Sequence, residues 1–239
     1  MRLLVAVALA VGVAECAAGQ AKPPVPRPQT QSLARGAHRI EITHERQQGE
    51  GWRAVDPGLV LESGDRVRFR FRANFDGYLY VMNQGTSGSY TLLFPREETG
   101  RENNIRAGKE YLVPATEAWF RIAGPPGHDI VYWMVSPVAL PGQQPVYKPL
   151  PPPPKTPPPP ANLLPRCDDA IFRARGECVD SSAGPKKVPG KEALPENLAH
   201  VPGAASRELI IMRQENQAVV SSPAPLTGPI VYEFRLAHK

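Results

Sequence analysis

Several ingredients of catalysis are missing from this sequence. The five histidines are scattered and form no HExxH pair, so the arrangement of a zinc hydrolase is not there. Cysteine is scarce: beyond Cys16, only Cys167 and Cys178 are present, and a zinc site would still need a second ligand pair, for which His200 is a poor substitute. Gly85-Thr86-Ser87-Gly88-Ser89 imitates a nucleophile elbow but lacks glycine at the fifth position, and its setting reads as a hairpin turn rather than a strand-to-helix turn. Gly184 to Lys191 imitates a phosphate loop with one residue too many, and Glu192 stands where Ser or Thr should meet magnesium. His128-Asp129 reads as a polar pair in a turn before a strand. No cofactor is called for, no metal site, and no catalytic residue. Sustained helical periodicity is absent after the N-terminal segment.

What is present is strand pattern. From Asp65 to Ala73, Val67, Phe69 and Phe71 alternate with Arg66, Arg68, Arg70 and Arg72. Strand side chains alternate at period two, so this segment is a half-buried strand with one apolar and one basic face. Asn74-Phe75-Asp76-Gly77 supplies a turn, with Gly77 expected to take the positive φ of a tight reversal. Tyr78, Tyr80 and Met82 then alternate with Leu79 and Val81, apolar on both faces as in a central strand covered on each side. Gly85 to Gly88 turns again, and a strand from Tyr90 to Phe94 ends at Pro95.

Around this meander the chain divides as follows. Met1-Arg2, the apolar run Leu3 to Ala14 and the small residues Ala17, Ala18 and Gly19 read as a secretory signal peptide over residues 1–21. The run is too short for a stable membrane anchor. Cys16 invites a lipoprotein reading, but Glu15 occupies a position that normally holds a small residue. Residues 22–36 are a proline-containing tether. Strands are predicted at His38–His44, Gly51–Val55, Leu59–Leu61, Glu110–Val113, Ala118–Ile122 and Ile130–Val135, with Asp56-Pro57-Gly58 as a turn. Short strands separated by frequent turns indicate an all-β fold, an antiparallel, immunoglobulin-like β-sandwich over residues 37–138. Residues 139–205 are a long, partly disordered insertion. Its prolines, including Pro151–Pro154 and Pro157–Pro160, favour polyproline II and make a spacer or, less simply, a docking ligand. In an oxidising compartment, Cys167 and Cys178 most simply form one disulfide. Residues 206–239, with strand patterns at Glu208–Arg213, Ala218–Val220 and Ile230–Leu236, complete the same sandwich, since so few residues make no core alone.

The segments Gly64-Asp65, Asp76-Gly77-Tyr78-Leu79-Tyr80, Leu92-Leu93-Phe94-Pro95 and Asn104-Ile105-Arg106-Ala107-Gly108, leading to Tyr111 and Pro114, carry a family likeness. Over about residues 58–137 the chain resembles a bacterial domain of unknown function, DUF4384. The resemblance implies a compact β-rich accessory domain of exported or envelope-associated proteins, and it brings no catalytic residues.

Binding is therefore the class left open. Arg66, Arg68, Arg70 and Arg72 make the sharpest signal, with heads about 7 Å apart along one strand face. Neighbouring glutamates and solvent are the plain answer to their repulsion; an envelope polymer, an acidic protein surface or a phosphate-bearing lipid is the functional one. Nucleic acid is disfavoured, since no reading motif appears. Asp56, Asp65 and Asp76 suggest a calcium site at one end of the sandwich, although turn aspartates usually cap their own backbone. Trp52, Trp119 and Trp133, with Tyr78, Tyr80 and Tyr90, suggest a sugar platform, although most belong in the core of so small a sandwich. The resulting expectation is an exported, periplasmic or extracellular, non-enzymatic module that binds an envelope protein or anionic polymer, with peripheral envelope association and an oligomeric state left open. The alternatives are a secreted hydrolase or enzyme inhibitor, and an envelope spacer.

Overall fold

The computed structural model of the chain describes residues 38–88, 90–95, 103–114, 118–138, 164–188, 190, 194, 196–199, 208–214 and 216–239. The segments read as signal peptide and tether, with Cys16, and the proline run up to residue 163 lie outside these residues. The strands are β1 (His38–Gln48), β2 (Gly51–Ala54), β3 (Arg66–Ala73), β4 (Gly77–Gln84), β5 (Tyr90–Phe94), β6 (Asn104–Ile105), β7 (Glu110–Val113), β8 (Phe120–Arg121), β9 (Gly127–Ser136), β10 (Gly184–Lys187), β11 (Ile210–Gln214), β12 (Gln217–Ser222) and β13 (Ile230–His238). Two short helices, α1 (Ala170–Ala174) and α2 (Glu196–Ala199), follow β9 and β10.

The strands form two antiparallel sheets packed face to face. The first runs β11-β12-β1-β3-β7, with β2 added to β1 and β8 to β3. The second runs β10-β13-β9-β4-β5, with β6 on β4. Period-two alternation sends Ile40, Ile42, Val67, Phe69 and Phe71 inward from the first sheet, and Leu79, Val81, Trp133, Tyr232 and Phe234 inward from the second. Phe71 stacks on Trp133 at 5.5 Å, and Trp133 in turn lies parallel to Tyr232 at 6.4 Å, so one aromatic column bridges the sheets. Phe69 meets Trp133 and Phe234 edge-on. Each such ring removed from water contributes about 1.5–3 kcal/mol.

The second sheet is covered on its outer face too. Tyr80, Met82, Tyr132, Met134 and Val231 pack under Val188, Leu194 and Leu198, which makes a second small core. Residues assigned to the insertion thus supply both this cover and the edge strand β10. Helix α1 is likewise an element that periodicity did not predict. Asp169 caps it, accepting hydrogen bonds from the Ile171 and Phe172 amides.

Two local expectations need correction, and one dismissed motif gains a structural place. Gly77 does not take a positive φ; glycine is needed there because a Cβ would sit 2.4 Å from the Ser136 carbonyl oxygen. Leu59–Leu61 is not a strand but a crossing segment that makes isolated bridges, Leu59 to Val179 and Leu61 to His238. Gly184–Lys187 is a strand paired with β13, which removes any phosphate-loop geometry.

Candidate binding face

The outer face of the first sheet is built by strand register. Glu41 stands opposite Arg72, Thr43 opposite Arg70, and Glu45 opposite Arg68. On the other flank of β1, Gln217 faces Thr43 and Val219 faces Glu41. Beyond β3, Leu112 and Glu110 face Arg70 and Arg72. Trp52 and Ala54 enter from β2, opposite Gln47 and Glu45.

The four arginines divide into two pairs with different tasks. Arg66 donates to the Gln47 side-chain oxygen at 3.2 Å and lies 4.3 Å over the ring of Trp119. Arg68 lies 4.3 Å over Trp52 and donates through Nε to Glu45 at 2.7 Å. Arg70 forms an ion pair with the other Glu45 oxygen at 2.8 Å and reaches Glu110 at 3.8 Å. Arg72 donates through Nε to Glu41 at 3.0 Å. The Glu41 hydrogen bond, then its charge, holds the Arg72 guanidinium above its ordinary pKa. Glu45 is buried, its carboxylate shared between two guanidinium groups. Like-charge repulsion along β3 is therefore offset by two glutamates of β1 and two tryptophans. Arg39, which pairs with Glu41, and Arg121 add to the same face, so arginine still outnumbers Glu41, Glu45 and Glu110.

Thr43 is short between two long neighbours, and a depression opens over it. One lobe of about 180 Å³ is lined by Glu41, Thr43, Arg70, Arg72, Glu110 and Gln217, with Phe71 at its floor. The other, about 420 Å³, is lined by Thr43, Ala54, Gln214, Asn216 and Gln217. Thr43 and Gln217 line both lobes, which lie side by side on one face.

Other sequence candidates separate in space. Asp56 accepts from the Gly58 amide, and Asp65 from the Glu62 amide and Arg46. Asp76 accepts from the Ala107 amide and from Arg106, which hold its carboxyl below the usual range. Asp56 and Asp65 cap their own turns, Asp76 ties its turn to the one between β6 and β7, and among the described residues no group of three His, Cys, Asp or Glu side chains gathers as a metal site. His128 and Asp129 lie inside β9 and point to opposite faces. His128 approaches Asp180 at 3.4 Å, whereas Asp129 pairs with the buried His238 at 3.4 Å and accepts from the Thr86 amide. Trp133 is core, Trp119 is 39% exposed and Trp52 is half-buried on the outer face. The Tyr90 side chain lies outside the described residues. Cys167 and Cys178 are joined in a disulfide. Their loop is held to the sandwich by the Val60 amide, which donates to the Cys178 carbonyl, and by the Asp180 amide, which donates to the Gly58 carbonyl.

The strands from β3 to β9, with the turns described above, can now be set against known families. Residues 60–139 match the family model of a domain of unknown function, DUF4384. No curated protein and no solved structure matches the chain. The DUF4384 segment supplies the arginine row of β3, yet Glu41, Thr43 and Glu45 come from β1 and Gln217 from β12, outside it. Sequence reading found the arginines through their period of two. It missed Thr43 and Gln217, because a depression made by one short side chain leaves no pattern along the chain.

Proposed function

We propose that this chain is an exported, non-enzymatic β-sandwich module that binds a component of the bacterial cell envelope through the outer face of its first sheet. The observation that carries the reading is the ordered arginine row. Its guanidinium groups are fixed by Glu41, Glu45, Trp52 and Trp119, so their rotamer entropy is spent on folding rather than on binding. The N-terminal signal pattern supports export, and the disulfide is consistent with an oxidising compartment. The DUF4384 resemblance supports an accessory role without chemistry of its own.

The test is crosslinking in the native envelope, with recovered partners compared between wild type and an R66Q/R72Q variant. These two arginines are the exposed members of the row. Arg68 and Arg70 are kept, because removing both would strand the buried Glu45 carboxylate and cost stability. A partner captured by wild type and lost from a folded variant is the expected result. Identical capture by both proteins would return the arginines to a purely structural role.

A further inference from the structure

Resting on that reading of the face, we infer that the depression over Thr43 is a trench for a glycan chain, uncharged or sparsely carboxylated. Directly opposed residues Gln214, Gln217, Thr43, Arg70 and Leu112 form a row across β11, β12, β1, β3 and β7. Adjacent strands lie about 4.8 Å apart, so this row is about 19 Å long and crosses the strands rather than following them. The trench exists because Thr43 is flanked on its own strand by the longer Glu41 and Glu45.

The lining selects the ligand class. Amides of Gln214, Asn216 and Gln217 both donate and accept, the Thr43 hydroxyl does the same, Arg70 only donates and Glu110 only accepts. Such a mixture matches a chain that offers hydroxyl donors and acceptors on every unit. A dense polyanion fits poorly, since Glu41 and Glu110 stand at the wall and the arginines there are already paired. An extended peptide fits poorly as well. It would need either a free strand edge or side-chain pockets, and the floor offers sheet backbone already hydrogen-bonded and little apolar wall beyond Ala54. Arg70 and Arg72, although paired, keep 38% and 54% of their side chains exposed, enough for an occasional carboxylate along a glycan but not for a dense row of charges.

The experiment titrates the full-length protein with three probes followed by nitrogen-15 chemical shifts: an N-acetylated neutral tetrasaccharide, a uronate tetrasaccharide and polyphosphate. The expected result is saturable binding of at least one tetrasaccharide, with shifts centred on Thr43 and Gln217. Thr43→Trp, which fills the trench from the surface, should weaken it at least tenfold. Gln217→Ala should weaken it severalfold, and serves if Thr43→Trp fails to fold. Arg173→Gln, exposed on helix α1 and away from this face, should leave it unchanged. Binding of polyphosphate alone overturns the glycan assignment, as does binding of neither sugar at millimolar concentration. Each of these leaves the envelope-capture result standing. Conversely, sugar binding blocked by Thr43→Trp, without any envelope partner captured, upholds the trench and sinks the envelope role.

Discussion

His44 is fully buried between Phe69 and Phe234, and neither ring nitrogen has a hydrogen-bond partner among the described residues. Burial first, and the Arg46 charge second, lower its pKa from 6.5 to about 3. The sign of the consequence follows from proton counting. Below pH 6.5 the unfolded chain binds a proton that the folded chain refuses, so this residue's share of stability is whole above pH 6.5. It drains by about 1.4 kcal/mol per pH unit as pH falls towards 3. His44→Leu should remove that component of the acid slope. It should also stabilise the protein at pH 7 by about 1 kcal/mol, since two buried polar atoms lose their unmet hydrogen bonds. Urea melts of both proteins at pH 7 and pH 5 check this; equal acid slopes would show that His44 is solvated after all. In the sequence this histidine looked like any other residue of an alternating strand. Its burial follows from inward parity with Ile40 and Ile42, which was readable, whereas its lack of a partner depends on what the other sheet brings opposite.

The disulfide loop is a separable element. Cross-linking a loop of this size stabilises by about 3 kcal/mol in the chain-entropy account, and this one spans 11 positions. The loop also keeps contacts of its own: the Asp168 carboxylate accepts from the Ser181 amide and hydroxyl, and Arg213 donates to the Ala183 carbonyl. Changing both Cys167 and Cys178 to Ala should therefore lower unfolding stability by about 2–3 kcal/mol while leaving far-ultraviolet circular dichroism of the sandwich unchanged. A variant as stable as wild type in urea would show that these side-chain contacts suffice. Element by element, β3 was legible because burial on one face forces strict alternation, whereas β13 is covered on both faces and shows its period through Glu233 and Arg235, which pair with each other. β10 was not: its Gly-Pro-Lys-Lys sequence has low strand propensity and is tolerated as a strand because it lies at a sheet edge, where a missing amide donor costs nothing. Val188, Leu194 and Leu198 were missed for another reason. They are single apolar residues in a proline-rich context, and their role appears only once the outer face of β4 and β9 needs covering.

At the scale of the whole molecule, the DUF4384 match and the folding unit do not coincide. Residues 60–139 contain β3 to β9 but omit β1, which lies between β12 and β3, and β13, which lies between β10 and β9. A fragment of residues 60–139 would therefore expose Phe71 and Trp133 along open sheet edges. It should give the collapsed proton spectrum of an unfolded chain, in contrast to dispersed signals from the full-length protein. Dispersed signals from the fragment would mean that the matched segment is self-sufficient. The all-β class was legible from the strands alone. The pairing of β1 with β12 was not, since partners so distant in sequence share no local signal. That interior placement of β13, the last strand of the chain to be made, also sets a clock. At about 5–20 residues per second of synthesis, the stretch from β1 to β13 takes on the order of 10–40 s to emerge. The first sheet stays incomplete until β12 emerges and the second until β13, so Phe69, Phe71 and Trp133 have no finished core to enter before then. The nascent chain is thus held open by its own topology until its final strand arrives.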